Sequence, residues 1–229
     1  MVGRLQKLGI VISVFGLAFV LAAGYTFIKV QDGQNSLNAF SAAQNVKLTY
    51  NDQGQLVDRG ETAGADAIMS LLTVDWGYVT SAGDFNPNDP IVNTASEYMY
   101  QMATITYHTL HSTVTVTLAE DVTAADGTVF KAGTYDFPVD GRYYAEFNRS
   151  NPIEAQARGL AWTPLALSLV GQLGVGAATA STLQMGLGLA GLFAGVGFMF
   201  ILAGLGLVWA TRATETVKAP AFKPAVQPA

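Results

Sequence analysis

The sequence predicts a membrane protein with two transmembrane helices flanking one extracytoplasmic α+β domain of helices and a small antiparallel sheet. Three observations carry this expectation. Residues 8–28 and residues 159–211 contain no charged side chain, so all charge sits in the rest of the chain. The composition is 50% hydrophobic and only 13% charged, about half the charge of an ordinary globular protein. Basic residues flank both apolar runs on their outer sides, while the segment between them is acidic. A simple cytosolic enzyme and a disordered chain are both excluded by this pattern. The absence of cysteine removes disulfides, thiolate metal sites and iron–sulfur ligation.

Residues 1–7, with Arg4 and Lys7, form a short cytoplasmic start. Residues 8–28 are long enough for one crossing, because a bilayer core of about 30 Å takes about 20 apolar residues. The rival is a cleaved signal peptide, with Ala22-Ala23-Gly24 as its cleavage site. The run exceeds the apolar stretch of about 7–15 residues found in such peptides, which favours an uncleaved anchor.

Residues 29–158 form the outer domain. Residues 36–44 place Leu37, Phe40 and Ala43 at helical spacing. Residues 46–50 and 55–57, around Asn51-Asp52-Gln53-Gly54, read as a small hairpin. Residues 65–72 are helical and run into aromatics at Trp76 and Tyr78 that need a buried home. A longer helix follows, with Asp89 as N-cap, Pro90 at its first position and a Thr94-x-x-Glu97 capping box one turn on. Its apolar face carries Tyr98, Met102 and Ile105. Three or four antiparallel strands close the domain, over residues 114–118, 128–130, 134–137 and 142–147, with Asp126-Gly127, Ala132-Gly133 and Asp140-Gly141 as turns. Residues 88–91 and 150–153 both read Asn-x-Pro-Ile or Asn-Pro-Ile at the opening of a helical stretch.

The second apolar run is too long for one crossing. Residues 159–182 include Pro164, Ser168, Gln172 and Thr179 and read as a hydrophobic helix on the outer surface. Residues 183–210 form the second transmembrane helix, with Trp209 as interface aromatic and Arg212 beyond it. A three-crossing arrangement is the alternative, but residues 177–185 hold neither glycine nor proline for a turn. Residues 211–229, with three prolines in the last eleven positions, read as a disordered cytoplasmic tail. Arg4, Lys7, Arg212, Lys218 and Lys223 put both termini in the cytoplasm of a two-pass plasma-membrane protein. Residues 29–158 carry 7 basic and 16 acidic side chains, a net of −9, which argues against nucleic acid as a partner.

No catalytic residue and no cofactor is assigned. The GxSxG, GxxxxGK[ST] and strand-to-GxGxxG patterns are missing. His108 and His111 are three apart on one helix, but a zinc site needs at least a third protein ligand, so no metal is assigned to them. Glu120, Asp121 and Asp126 surround one turn and offer carboxylates to calcium; a solvated loop is the ordinary reading. The spans hold no Asp, Glu, Lys, Arg or His, which disfavours transport. Small residues are the more informative feature: Gly186, Ala190, Gly191, Ala194 and Gly195 on the second span, and Gly9, Ser13 and Gly16 on the first. At four-residue spacing they let helix backbones approach closely in lipid, either each other or another subunit.

The stretches LTYNDQGQLVDRGETAGAD (48–66), AIMSLLTVDWGY (67–78) and NPNDPIVNTASEYMYQMATITYHT (86–109) resemble a family of uncharacterised two-span membrane proteins of actinobacteria. The plan of a short cytoplasmic start, one outer domain and a glycine-rich last span is also similar to accessory subunits of actinobacterial respiratory supercomplexes of cytochrome bcc and oxidase. Those resemblances imply a non-enzymatic accessory, assembly or stabilising subunit whose partners are lipid and other integral membrane proteins. The alternative is a membrane-anchored extracytoplasmic binding module for an envelope ligand or a divalent cation.

Overall fold

The computed structural model describes residues 2–81 and 83–215. The expected disordered tail, with Lys218 and Lys223, lies outside the described residues. The chain divides into two compact units, one holding residues up to 34 and from 183 onward, the other residues 35–182.

Two helices, α1 (Val2–Gln44) and α5 (Pro164–Glu215), dominate the first unit and reach into the second. At 1.5 Å per residue they are about 65 and 78 Å long. Both are long and apolar enough to cross a membrane. The expected separate helix over residues 36–44 is instead the continuous end of α1. Nothing between Ile28 and Gln44 breaks it, since the segment has no proline and Leu183 packs against Gly33, its poorest helix former. Asn45 then closes α1 in the left-handed conformation (φ 51°), its N–H on the Ser41 carbonyl. The stretch read as one helix from residue 159 is also divided differently. Residues 159–161 end α4 (Pro152–Ala161), and α5 starts where the Thr163 hydroxyl accepts from Ala166 N (3.1 Å) with Pro164 at the first position. From there α5 runs through residues 177–185 without a turn.

Within the first unit the helices run antiparallel. A Cβ on Gly9 would lie 2.6 Å from the Gly204 carbonyl, and one on Gly16 equally close to the Gly197 carbonyl. Gly9, Gly16 and Ala23 are buried, and so are Ala190, Gly197, Gly204 and Thr211. Each set steps by seven residues, the repeat of a left-handed coil. Phe19 sits between Phe193 and Phe200, with ring centroids 5.9 and 6.0 Å away.

The second unit is a helical domain with small antiparallel sheets. Tyr50 bridges Leu56 around a turn in which Asn51 Oδ1 accepts from Gln53 N and Gln55 N, as the hairpin reading expects. Helix α2 (Thr62–Ser70) continues into a π-helical turn at Leu71–Asp75. Helix α3 (Ala95–Leu110) starts five residues later than Asp89-Pro90 suggests. Residues 90–92 are extended instead: Leu48 N donates to the Pro90 carbonyl and Val92 N to the Val46 carbonyl. That pairing consumes the first candidate start, and the Thr94–Glu97 capping box opens the helix. At Asn151-Pro152 no strand competes, and Asn151 Oδ1 caps α4 through Ile153 N and Glu154 N.

Strands β1 (Thr113–Leu118) and β4 (Gly133–Pro138) pair antiparallel, with Thr113 opposite Pro138 and Leu118 opposite Gly133. The short β2 (Val122–Thr123) and β3 (Val129–Phe130) form a second hairpin around Gly127. Residues 142–147, expected as a strand, form turns. Arg142 lies over Phe137 and hydrogen-bonds to the Pro138 and Val139 carbonyls, which folds the segment back instead of extending it. Among the described residues, Ile68, Leu72, Val116 and Val139 are the largest fully buried apolar side chains of the core.

The helix seam makes an asymmetric prediction. Gly16→Ala should destabilise the helix pair by about 1–3 kcal/mol through overpacking. Gly195→Ala, where an added Cβ meets nothing, should be neutral or slightly stabilising, as alanine is the better helix former. Denaturant titration of both variants in one detergent checks the difference.

Candidate functional site

The small residues picked out by spacing fall into two groups. Gly9, Ser13 and Gly16 face α5, where they meet Gly204 and Gly197; Gly186 lies against Val30. The Ser13 hydroxyl is buried there without a hydrogen-bond partner. Gly191 and Gly195, the GxxxG pair itself, do not meet α1, and a Cβ on either would touch nothing within 4 Å. Ala190, Gly191 and Ala194 instead line a shallow groove of about 520 Å³ with Ala23, Gly24 and Phe27. Small side chains make its floor and Phe27 part of its wall. Gly197 and Gly204 carry the closest helix contacts but are not in the four-residue pattern. A scan for seven-residue spacing of Gly and Ala on both helices finds them.

In the second unit the two histidines part company. His108 Nε2 lies 3.0 Å from Asp58 Oδ1, whereas the His111 Nδ1–H donates to the Tyr107 carbonyl at 2.8 Å with its ring against that tyrosine. Among the described residues no three His, Cys, Asp or Glu side chains gather as a metal would require. The acidic turn is likewise occupied. Asp121 pairs with Lys131 Nζ (2.8 Å) and accepts from Ala132 N, and Asp126 accepts from Thr128 N. These bonds hold the Asp121 and Asp126 carboxyls below the usual aspartate range, Asp121 chiefly through Lys131 and Asp126 through the Thr128 amide.

Glu97 is a buried carboxylate. One oxygen, Oε2, accepts from Asn93 N, Thr94 N and Thr94 Oγ1 at 2.9 to 3.0 Å. Burial pushes its pKa up, against the downward pull of these bonds. Nearby, the Tyr50 and Tyr100 hydroxyls are buried without protein partners, and burial raises both phenol pKa values. Glu97 therefore locks the start of α3.

Two concavities carry mixed chemistry. The first is an open groove beside the π-helical turn, where Asp75, Trp76, Tyr107, His111 and Tyr143 meet. The Trp76 indole N–H donates to the Tyr143 hydroxyl (2.9 Å), and Tyr143 stacks on Trp162, itself tied by its indole to the Arg142 carbonyl. Of the aromatics expected to be buried after α2, Trp76 lines this groove and both Trp76 and Tyr78 are only half-buried, while Val74 and Val79 stay exposed. Single π-turns of this kind recur at functional sites.

The second is a more enclosed cavity of about 220 Å³ among the end of α1, residues 46 and 92, α3 and the start of α5. Phe40, Val92, Ile105 and Leu173 form apolar walls, and Ser41, Gln44, Tyr98, Gln101 and Gln172 contribute polar groups. Gly176 lets α5 approach α3, since a Cβ there would lie 2.6 Å from the Tyr98 ring. Sequence spacing puts Tyr98 and Ile105 on one face of α3 but cannot show that this face meets α1 and α5.

Two outcomes follow from Glu97. Thr94→Ala should cost about 1 kcal/mol of the second unit's stability by removing the cap, measured by thermal or urea unfolding. A raised carboxyl pKa means that its stabilisation is complete at low pH and is lost as pH rises through the folded value; Asp121 and Asp126 act in the opposite sense, losing theirs as pH falls through their depressed values. Carboxyl carbon NMR should accordingly find Glu97 titrating above the ordinary glutamate range and both aspartates below theirs. Comparison of the chain with protein-family models, curated proteins and solved structures finds no match.

Proposed function

We propose that the protein is a two-span plasma-membrane protein that serves as a non-enzymatic accessory or stabilising subunit, docking onto another integral membrane protein through the groove of Ala190, Gly191 and Ala194. The membrane reading is supported first by what surrounds the helices. Val14, Phe15 and Leu17 on α1 are 61, 62 and 52% exposed and Phe198, Met199 and Phe200 on α5 are 58, 71 and 41% exposed, and at 3.6 residues per turn these positions point in different directions around their helices. More than twenty large apolar side chains of the first unit are exposed in this way. At about 1.5–3 kcal/mol for each such side chain fully hidden, leaving them in water costs on the order of tens of kcal/mol. Net folding stability is only about 5–15 kcal/mol, so lipid is the solvent that suits them.

The antiparallel register supports the topology. It sets residues 4–9 of α1 beside residues 204–212 of α5, so Arg4, Lys7 and Arg212 share one end. Basic residues gathered at one end support a cytoplasmic side for that end and, with it, an extracytoplasmic side for residues 35–182.

The observation that carries the docking reading is the division of the glycines. Mutual packing accounts for Gly9, Gly16, Gly197 and Gly204, yet Gly191, with Ala190 and Ala194, floors a groove that α1 leaves open. Glycine costs about 1 kcal/mol relative to alanine in a helix, and a close-approaching partner helix is the use that offsets it in lipid. A respiratory assembly is the first companion to test, on the architectural resemblance alone.

Extraction from native membranes with a mild detergent, followed by native gels, should show the chain migrating with a larger complex. Ala194→Phe, which fills the groove, should release it as a small species while the unfolding of the helix pair is unchanged. Migration of the unaltered chain by itself would sink the docking reading.

A further inference from the structure

The cavity at the end of α1 is built from chemistry that neither anchoring nor docking uses. Its lining contains no Asp, Glu, Lys, Arg or His, so a charged ligand would lose its hydration without a counter-charge, at a cost of several kcal/mol. Its walls are apolar, and uncharged hydrogen-bonding groups converge on it. Ser41 Oγ and Tyr98 OH lie 2.8 Å apart, both residues buried. The two hydroxyls hold two protons and share one bond, so one O–H is left to donate. Among the described residues, the side-chain amides of Gln44, Gln101 and Gln172 have no protein partner. Beyond Phe40 and Gln172, which line both spaces, the cavity adjoins a groove with Leu37, Val175 and Thr179 on its walls.

Apolar walls with a few convergent polar groups are the usual makeup of a small-molecule site. A bare hydrocarbon would leave the amides and the hydroxyl unused, and a sugar would bring little apolar surface to the walls. We propose that this cavity binds an uncharged amphiphile of the bilayer, an acyl or prenyl chain whose hydroxyl- or carbonyl-bearing head meets Ser41, Tyr98 and the three glutamines while the chain follows the groove. The proposal rests on the membrane reading only for the source of the ligand, and on the docking reading not at all.

The test uses the full chain in phosphatidylcholine nanodiscs with diazirine-tagged diacylglycerol, diazirine-tagged prenyl alcohol or, as the charged counterpart, diazirine-tagged phosphatidylglycerol. Peptide mapping should find adducts at residues 40–46 and 169–173 from at least one neutral probe, and which one tells acyl from prenyl. Leu169→Trp, at the cavity wall, and Gln172→Glu, at an exposed position where folding is not at stake, should each lower those adducts about tenfold, equivalent to about 1.4 kcal/mol. Adducts confined to the apolar spans, equal labelling by phosphatidylglycerol, or labelling unchanged in both variants would overturn the proposal. Failure of the chain to enter the discs counts against the membrane reading instead, and the same probes in mixed dodecylmaltoside micelles then decide the cavity.

Discussion

Close approach of two helix backbones is the constraint on which the first unit depends. At Gly9, Gly16, Gly197 and Gly204 the distance between α1 and α5 leaves no room for a β-carbon. In water such a pair would be driven together by burying large apolar side chains, but here those side chains point outward and the seam is nearly bare backbone. Dispersion between closely packed atoms is then the main attraction, and it falls off steeply with any added separation. The seven-residue step of the buried small residues keeps this contact in register along both helices.

The second unit is organised differently, around polar locks at the ends of its helices. Asn45 stops α1, the Thr94–Glu97 box starts α3, Asn151 starts α4, and Thr163 with Pro164 starts α5. Each satisfies backbone groups that would otherwise be left without partners. Glu97 is the most committed of them, since three donors hold one carboxylate oxygen inside the protein. The same economy of partners explains why the histidines and the acidic turn, tempting as metal ligands, are engaged elsewhere: Asp58 takes His108, and Lys131 takes Asp121. Around the small cavity, the side-chain amides of Gln44, Gln101 and Gln172 stay without a protein partner among the described residues.

Local signals were legible wherever a residue acts on its own neighbours. The turn at Asn51–Gly54, the capping box at Thr94 and the cap at Asn151 could all be read from the chain, because their hydrogen bonds span two to four residues. Asp89-Pro90 carries as good a cap signal as Asn151-Pro152 and yet starts no helix, because Val46–Leu48, more than forty residues away, pairs with residues 90–92. Residues 142–147 alternate well enough for a strand, but Arg142 folds back over Phe137. Spacing and contact divide the glycines differently: four-residue steps pick out Gly191 and Gly195, where an added Cβ would meet nothing, while the contact between α1 and α5 runs on sevens through Gly9, Gly16, Gly197 and Gly204.

By itself the sequence determined the division of the chain into apolar and polar parts, two helices long and apolar enough to cross a membrane, and the caps that begin and end several elements. These depend on residue type and short-range periodicity, which a linear chain displays in full. Only the tertiary structure decided which glycines meet another backbone, which are left to line a groove, and that Ser41, Tyr98 and three glutamines gather at one cavity. Those outcomes depend on the register between segments far apart in sequence, and register is a property of packing that no single segment carries.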